Sequence, residues 1–285
     1  MKPIDKIKFL KNIKTPTQKS TEWLEQRKHR LTASDTATAL GVNPYETRES
    51  LLLRKCGIER VFKGNEATKH GEKYENEAIE LYCKLMSKTN YTFGLVNYSD
   101  LKEIRTHYDP TCEFLAASPD GIATDNNDLE DLVLLEVKCP TYRQIKYGHV
   151  PDHYMPQIQQ NLIVFDIQKA DFIEYIPAGY KGHTNYVLNI VRVHRSDKWY
   201  SQNLPILINF WNEVLEWSSK DITTHPCYET EIKKLKKNEK EKENENEPEN
   251  NILEQNQGSN ISSFRDIDTS EQNQGSNISS FRDIN

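Results

Sequence analysis

Cysteine is scarce and scattered in this sequence. Cys56, Cys83, Cys112, Cys139 and Cys227 contain no C-x-x-C pair. An odd, dispersed set argues against a secreted disulfide framework and against a zinc or iron–sulfur site. His70, His107 and His149 show no H-x-x-x-H spacing, a second argument against zinc. Long hydrophobic runs are also missing. No apolar stretch approaches the ~20 residues of a membrane span, and MKPIDKIKFLKNIKTPTQKS has no apolar signal-peptide core. These absences set the expectation of a reduced, intracellular protein with no membrane partner. Excess positive charge is missing from most of the chain. Residues 228–285 hold 8 Lys/Arg and 13 Asp/Glu, which leaves 29 and 30 for residues 1–227. A near-neutral body does not advertise nucleic-acid binding, so any such surface must be a local cluster. One lies at the amino terminus, where residues 1–30 carry nine Lys/Arg against Asp5, Glu22 and Glu25. Its first 20 residues could hold a phosphate backbone by counterion release.

The 285 residues suffice for one large domain or two small ones. The expected organisation is a folded domain over 1–227, with a basic segment at 1–20 and a core from about 20 to 217. A charged tail, disordered or a solvated helix at its start, follows over 228–285. The tail contains a 14-residue segment, EQNQGSNISSFRDI, at 254–267 and again at 271–284. Two short polar copies cannot stack into a solenoid. Phe264 and Phe281 are either paired docking motifs or the product of a duplication without function.

Within the body, helices are expected at about 21–30, 47–56, 70–86, 152–165 and 197–217. Strands are expected at 92–98, 104–108, 113–118, 132–138, 172–176 and 186–193. This order gives an α/β class, an α+β mixed sheet flanked by helices. Ser34 fits an N-cap in LTASDTATALG, with Gly41 as the stop. On the 70–86 helix, Ala78, Ile79, Tyr82 and Met86 form an apolar stripe. Glu75 shares that face, whereas Glu77 and Glu80 lie off it, so Glu75 needs a partner.

The run Leu132–Leu135 ends in Glu136-Val137-Lys138. Alternation along a strand points Leu134, Glu136 and Lys138 the same way. A carboxylate and an ammonium at the end of a core strand are costly to desolvate unless held. Asp120 sits in a Pro-Asp-Gly turn sixteen residues before Glu136. Carboxylates and a lysine converging at strand ends suit a hard divalent cation, which takes oxygen ligands and keeps part of its water shell. Asp120, Glu136, the Val137 carbonyl and Glu75 are the candidate ligands. Lys138 would orient or deprotonate water, or neutralise charge on a phosphorane. On the 152–165 helix Gln157 faces with Tyr154, Ile158, Asn161 and Leu162, and two amides on an inward stripe invite polar partners.

The blocks EWLEQRKHRLTASDTATALGVNPY, HGEKYENEAIELY, FLAASPDGI, LLEVKCP and YMPQIQQNL, in that order, resemble the PD-(D/E)xK nuclease superfamily. More closely, they resemble the lambda-exonuclease/YqaJ-type viral recombinase nucleases, over roughly residues 20–195. The resemblance implies a restriction-endonuclease-like core and Mg2+, with Mn2+ as a substitute. Asp120, Glu136 and the Val137 backbone oxygen would be ligands, with Lys138 as the catalytic lysine. Glu75 would support the metal, and Gln157 would match the family's glutamine, with Tyr154 before it. Arg27 and Ser34 match the spacing of a phosphate-gripping pair, with Ser118 adding a hydroxyl; Arg30 is the rival arginine, and Arg143 a further phosphate contact.

Chemically, a forked guanidinium with a hydroxyl at a helix amino end suits a terminal phosphate. The expected function is magnesium-dependent exonucleolytic hydrolysis of duplex DNA ends, resected from the 5′ end for recombination or DNA processing. The implied partners are DNA ends, a single-strand annealing protein and further copies of the chain. The implied setting is the cytoplasm or nucleus of a host cell, with a virus or phage as source. The alternatives are a structure-specific or nicking endonuclease on the same core, and a non-catalytic DNA-binding adaptor protein.

Overall fold

A computed structural model describes residues 2–17, 20–58, 64–125, 131–245 and 281–284. In chain order the helices and strands are α1 (Pro3–Asn12), α2 (Thr21–Lys28), β1 (Leu31–Thr32), α3 (Thr36–Ala39), α4 (Arg48–Lys55) and α5 (Glu66–Met86). They continue with β2 (Lys88–Tyr91), β3 (Val96–Asn97), β4 (Leu115–Ala117), β5 (Gly121–Asp125) and β6 (Leu132–Lys138). Last come α6 (Met155–Phe165), β7 (Lys169–Ile176), β8 (Val187–His194), α7 (Asp197–Ser218), α8 (Tyr228–Glu245) and β9 (Phe281–Ile284).

The main sheet has the order β2-β5-β6-β7-β8-β9, and β1-β4-β3 form a smaller one. β6 and β7 run parallel, with α6 as the crossover between them, while β5–β6 and β7–β8 are antiparallel. The sheet is therefore mixed and flanked by helices, as the sequence pattern leads one to expect.

Alternation along β6 divides the core into two layers. Val133, Leu135 and Val137 pack with Ala78, Ile79 and Tyr82 of α5. Leu134, on the other face, packs with Ile158 and Leu162 of α6. Glu136 and Lys138 share Leu134's parity and so face α6. The α5 helix starts at Asn65, whose side chain accepts from the Thr68 amide, and stops at Ser87 in the left-handed region, φ 52°. Inside the α5 layer, Tyr82 donates to Asp171 Oδ2 at 2.6 Å, and Arg192 grips both oxygens of Asp171 at 2.8 and 2.9 Å. The buried acid on β7 is thereby paired and bonded rather than isolated.

Several elements differ from expectation. No strand forms at 104–108, and the 92–98 segment reduces to β3. The β5 strand, unforeseen because its glycine and small residues carry little hydrophobic signal, pairs with β6 from Gly121 opposite Leu135. Gly121 is also a point of close approach, since a Cβ there would lie 2.1 Å from Asn90 Oδ1. The lysine-rich start of the chain forms α1, which buries Ile7 and Leu10 in the core. Lys6 of α1 donates to the Asp166 carbonyl at 2.6 Å. Burial lowers the Lys6 pKa to about 8, opposed by Asp166.

The expected boundary at 227 falls one residue before α8. Glu231 of α8 is buried, accepting from Thr47 at 3.3 Å and from Lys234 at 2.6 Å. The first duplicated segment, with Phe264, lies outside the described residues. The last four residues of the second copy's match, Phe281–Ile284, form β9 parallel to β8.

Candidate active site

The turn from β4 to β5 and the end of β6 meet through the backbone. Asp120 donates its amide to the Leu135 carbonyl at 3.2 Å, and its Oδ2 accepts from the Val137 amide at 2.6 Å. Glu136, fully buried, is held on both oxygens. Its Oε1 accepts from Lys138 Nζ at 2.5 Å and from Gln157 Nε2 at 2.6 Å, and its Oε2 accepts from Asn161 Nδ2 at 2.9 Å. Gln157 and Asn161 are four residues apart on α6, one turn on the same face.

The electrostatics of the pair follow from burial and like charge. Burial raises the Asp120 pKa, against the pull of Lys138 and the Val137 amide. Burial also raises that of Glu136, to about 7, with Asp120 and Glu75 adding repulsion and Lys138 opposing. For Lys138 burial pushes the pKa down, but Glu136 and Asp120 prevail and hold the ammonium protonated above its ordinary range. Lys138 thus stands as the positive charge paired with Glu136 in this arrangement. Its Nζ also lies 5.3 Å from the centroid of the Tyr154 ring. Cys139 is buried, its thiol pushed up to about 12 by burial and then by Glu75. It is inert as a nucleophile.

Among the described residues no three His, Cys, Asp or Glu side chains form a metal-holding group. Glu75 on α5 acts on Glu136 by charge and is half-buried. The candidate ligands Asp120 and Glu136 offer only oxygen atoms. Two buried carboxylates with raised pKa values and one ammonium beside Glu136 fit a hard cation that keeps part of its water shell.

Of the candidate phosphate residues, Arg27 and Ser34 come into direct contact. Arg27 Nη2 donates to Ser34 Oγ at 2.9 Å, and its guanidinium lies 4.6 Å from the Trp23 ring centroid. Arg30 does not make this bond; its Nη1 donates to the His29 carbonyl at 2.7 Å. β1 and β4 run parallel with Thr32 beside Ala116, so Ser34 and Ser118 each lie two residues past that pair, at the same end of the two strands. Ser118 in turn precedes Asp120 by two. The register thus brings Ser34 to the same strand end as Ser118, in the loop that carries Asp120. Arg143 pairs with the buried Glu174 of β7, and its guanidinium lies 5.7 Å from the Tyr154 centroid on the way to Lys138.

Sequence reading missed the groups that hold this region together. Gln160 of α6 donates to the carbonyls of Leu31 and Ala116 at 2.8 and 3.0 Å and accepts from Thr36 at 2.5 Å. Asp35 is buried against Arg54 at 2.9 Å and Lys55 at 2.8 Å. Lys55 also donates to the carbonyls of Arg27 and Arg30 at 2.7 and 2.6 Å, closing the end of α2. The polar residues Thr32, Asp35, Thr36 and Thr38, closely spaced among alanines, were the available signal.

The chain belongs to the YqaJ-like viral recombinase domain family, whose model matches residues 22–179. Among relatives, a protein of Acanthamoeba polyphaga mimivirus is 33% identical over 180 residues, covering 59% of this chain and 31% of that protein. A protein of African swine fever virus is 27% identical over 173 residues, 52% of this chain and 46% of that protein. The chain thus spans a third to a half of the length of the viral relatives it matches. The alkaline exonuclease LHK-Exo of Laribacter hongkongensis shares the fold, with a TM-score of 0.53 and 22% identity, over 78% of this chain and 99% of that one. Its complex with dAMP gives a TM-score of 0.54. The shared architecture is a mixed sheet flanked by helices.

Proposed function

We propose that the chain is a magnesium-dependent deoxyribonuclease that degrades duplex DNA from its ends, 5′ to 3′, to expose a single strand for recombination. One observation carries the reading: at the end of β6 Lys138 and Gln157 both bond Glu136 while the neighbouring Val137 amide bonds Asp120, and Arg27 bonds Ser34 separately. Family membership and the shared fold of an alkaline exonuclease support it.

Asp120 and Glu136 would hold the cation, with the Val137 carbonyl as a further oxygen. When bound, a divalent cation supplies positive charge against the phosphate's non-bridging oxygens and acidifies water. Gln157 and Asn161 fix the Glu136 carboxylate, so its oxygens need not reorganise during the reaction. Lys138, protonated, would place a positive charge where charge develops on the phosphate. Arg27 and Ser34 offer a fork and a hydroxyl to a terminal 5′-phosphate, which would set the register of cleavage.

The polarity, the preference for ends, the annealing partner, self-assembly and a host-cell setting belong to this proposal through the family. The alternatives separate cheaply. An end-dependent enzyme degrades linear duplex and spares closed circles, a nicking endonuclease relaxes circles, and an adaptor does neither. The test is magnesium-dependent degradation of linear duplex with Lys138→Ala as control.

A further inference from the structure

Past the end of β6 lies a cavity of about 380 Å3 that this chemistry does not use. Tyr142 and Arg143 line one wall; Tyr180 and Lys181, between β7 and β8, line another. The volume is in the range of small-ligand sites. Its lining contains Arg143 and Lys181 and no carboxylate.

Three features mark it as a binding site. Tyr142 is 71% exposed, and the Lys181 ammonium lies 4.1 Å from its ring centroid and 5.5 Å from that of Tyr180. Second, Arg143 Nη2 and Tyr180 Oη are buried without a hydrogen-bond partner. Buried orphans of this kind call for an explanation, and a ligand carrying acceptors is one. Third, Lys181 holds a left-handed backbone, φ 47°, between Gly179 and Gly182 at φ 79° and 84°. The other positive-φ non-glycines among the described residues, Ser87 and Asp166, close helices. Lys181 closes none, and its Nζ is tied to the Thr141 carbonyl at 3.0 Å. Strain held in place by its surroundings is a property of binding loops.

We propose that this cavity binds one unpaired nucleotide of single-stranded DNA, its base against Tyr142 and Tyr180 and its phosphate toward Arg143 and Lys181. Aromatic faces with cations are the sequence-tolerant way to hold a single strand. Arg143, in the cavity wall, and Lys138, bonded to Glu136, lie 5.7 and 5.3 Å from the Tyr154 ring centroid, which links the cavity to the acid pair through one side chain. The inference rests on the reading of the chain as a DNA nuclease.

The test is fluorescence anisotropy of the full chain without divalent cation, so that binding is read apart from cleavage. The probes are labelled oligo(dT) and a blunt duplex, with dTMP as competitor. Tyr142→Ala and Lys181→Ala each weaken oligo(dT) binding about tenfold while duplex binding changes less than about twofold. Tyr142→Phe retains strand binding, and unchanged melting curves show that the variants fold. Undiminished oligo(dT) binding in both variants overturns the proposal. Displacement of the strand by dTMP at equal nucleotide concentration also overturns it, assigning the cavity to a free mononucleotide. Loss of strand binding in a chain that does not cleave DNA supports the cavity and sinks only the nuclease reading; cleavage with unchanged strand binding does the reverse.

Discussion

Gln157 Nε2 donates to Glu136 Oε1 at 2.6 Å, joining the first turn of α6 to the end of β6. Lys138 donates to the same oxygen, and Asn161 takes the other. The glutamate thus has its direction fixed by three neighbours before any ligand arrives. Removing such an orienting partner costs about 10- to 100-fold in activity or metal affinity. Gln157→Ala and Asn161→Ala should each fall in that range in kcat/KM on linear duplex. Gln157→Glu should be worse than Gln157→Ala, because it adds a fourth carboxylate to a site already loaded by Asp120 and Glu75. Steady-state rates on an end-labelled duplex measure both.

Cation binding should be separable from turnover. Burial and the Asp120 charge make Glu136 an uncomfortable anion in the chain alone. A divalent cation should therefore raise the melting temperature of the parent chain through preferential binding to the folded state. Glu136→Gln removes both the repulsion and a ligand, so the increment on adding Mg2+ or Mn2+ should vanish while the fold persists. Thermal melts with and without cation check this without any DNA.

The Arg27–Ser34 pair makes a prediction about ends. Arg27→Ala should cut the preference for 5′-phosphate over 5′-hydroxyl ends about tenfold or more, the worth of a hydrogen bond to a charged group. Arg30→Ala should leave that preference intact, since its guanidinium turns to His29. Competition between phosphorylated and unphosphorylated duplexes reads the ratio directly.

Asp35 governs the stability of that region and its response to acid. Burial alone would raise its pKa, but Lys55, Arg54 and Arg27 hold it below the ordinary aspartate value of 3.8. A carboxylate whose folded pKa is depressed stabilises the fold above the unfolded value and loses that contribution as pH falls below it. Asp35→Asn leaves the buried Lys55 short of its counter-charge and should cost about 3–5 kcal/mol at neutral pH. The gap between parent and variant should close as pH falls below 3.8. Denaturant melts at neutral and acid pH test both statements.

The sequence made some of this plain and hid the rest for physical reasons. Leu132–Lys138 is a strand because a four-residue apolar run with alternating ends has no other comfortable home, and β6 has those bounds. Glu75, Gln157 and Asn161 stood out as polar residues on apolar helix faces, and all three bear on Glu136. By contrast, α1 was hidden by its lysines, although Ile7 and Leu10 sit one turn apart and are buried. β5 was hidden by composition, because Gly121 and Ala123 supply backbone pairing without side-chain bulk. Lys55 and Asp35 were hidden because their pairing is made across the fold, which no local period records.

The most direct test of the account is digestion of linear duplex labelled at the 5′ end, bearing 5′-phosphate or 5′-hydroxyl, with and without Mg2+, by the parent chain and by Lys138→Ala. The account predicts release of 5′ nucleotides only with Mg2+, faster from phosphorylated ends, and a loss of about 10²-fold or more in the variant. Equal degradation by parent and Lys138→Ala, or degradation indifferent to Mg2+, would contradict it.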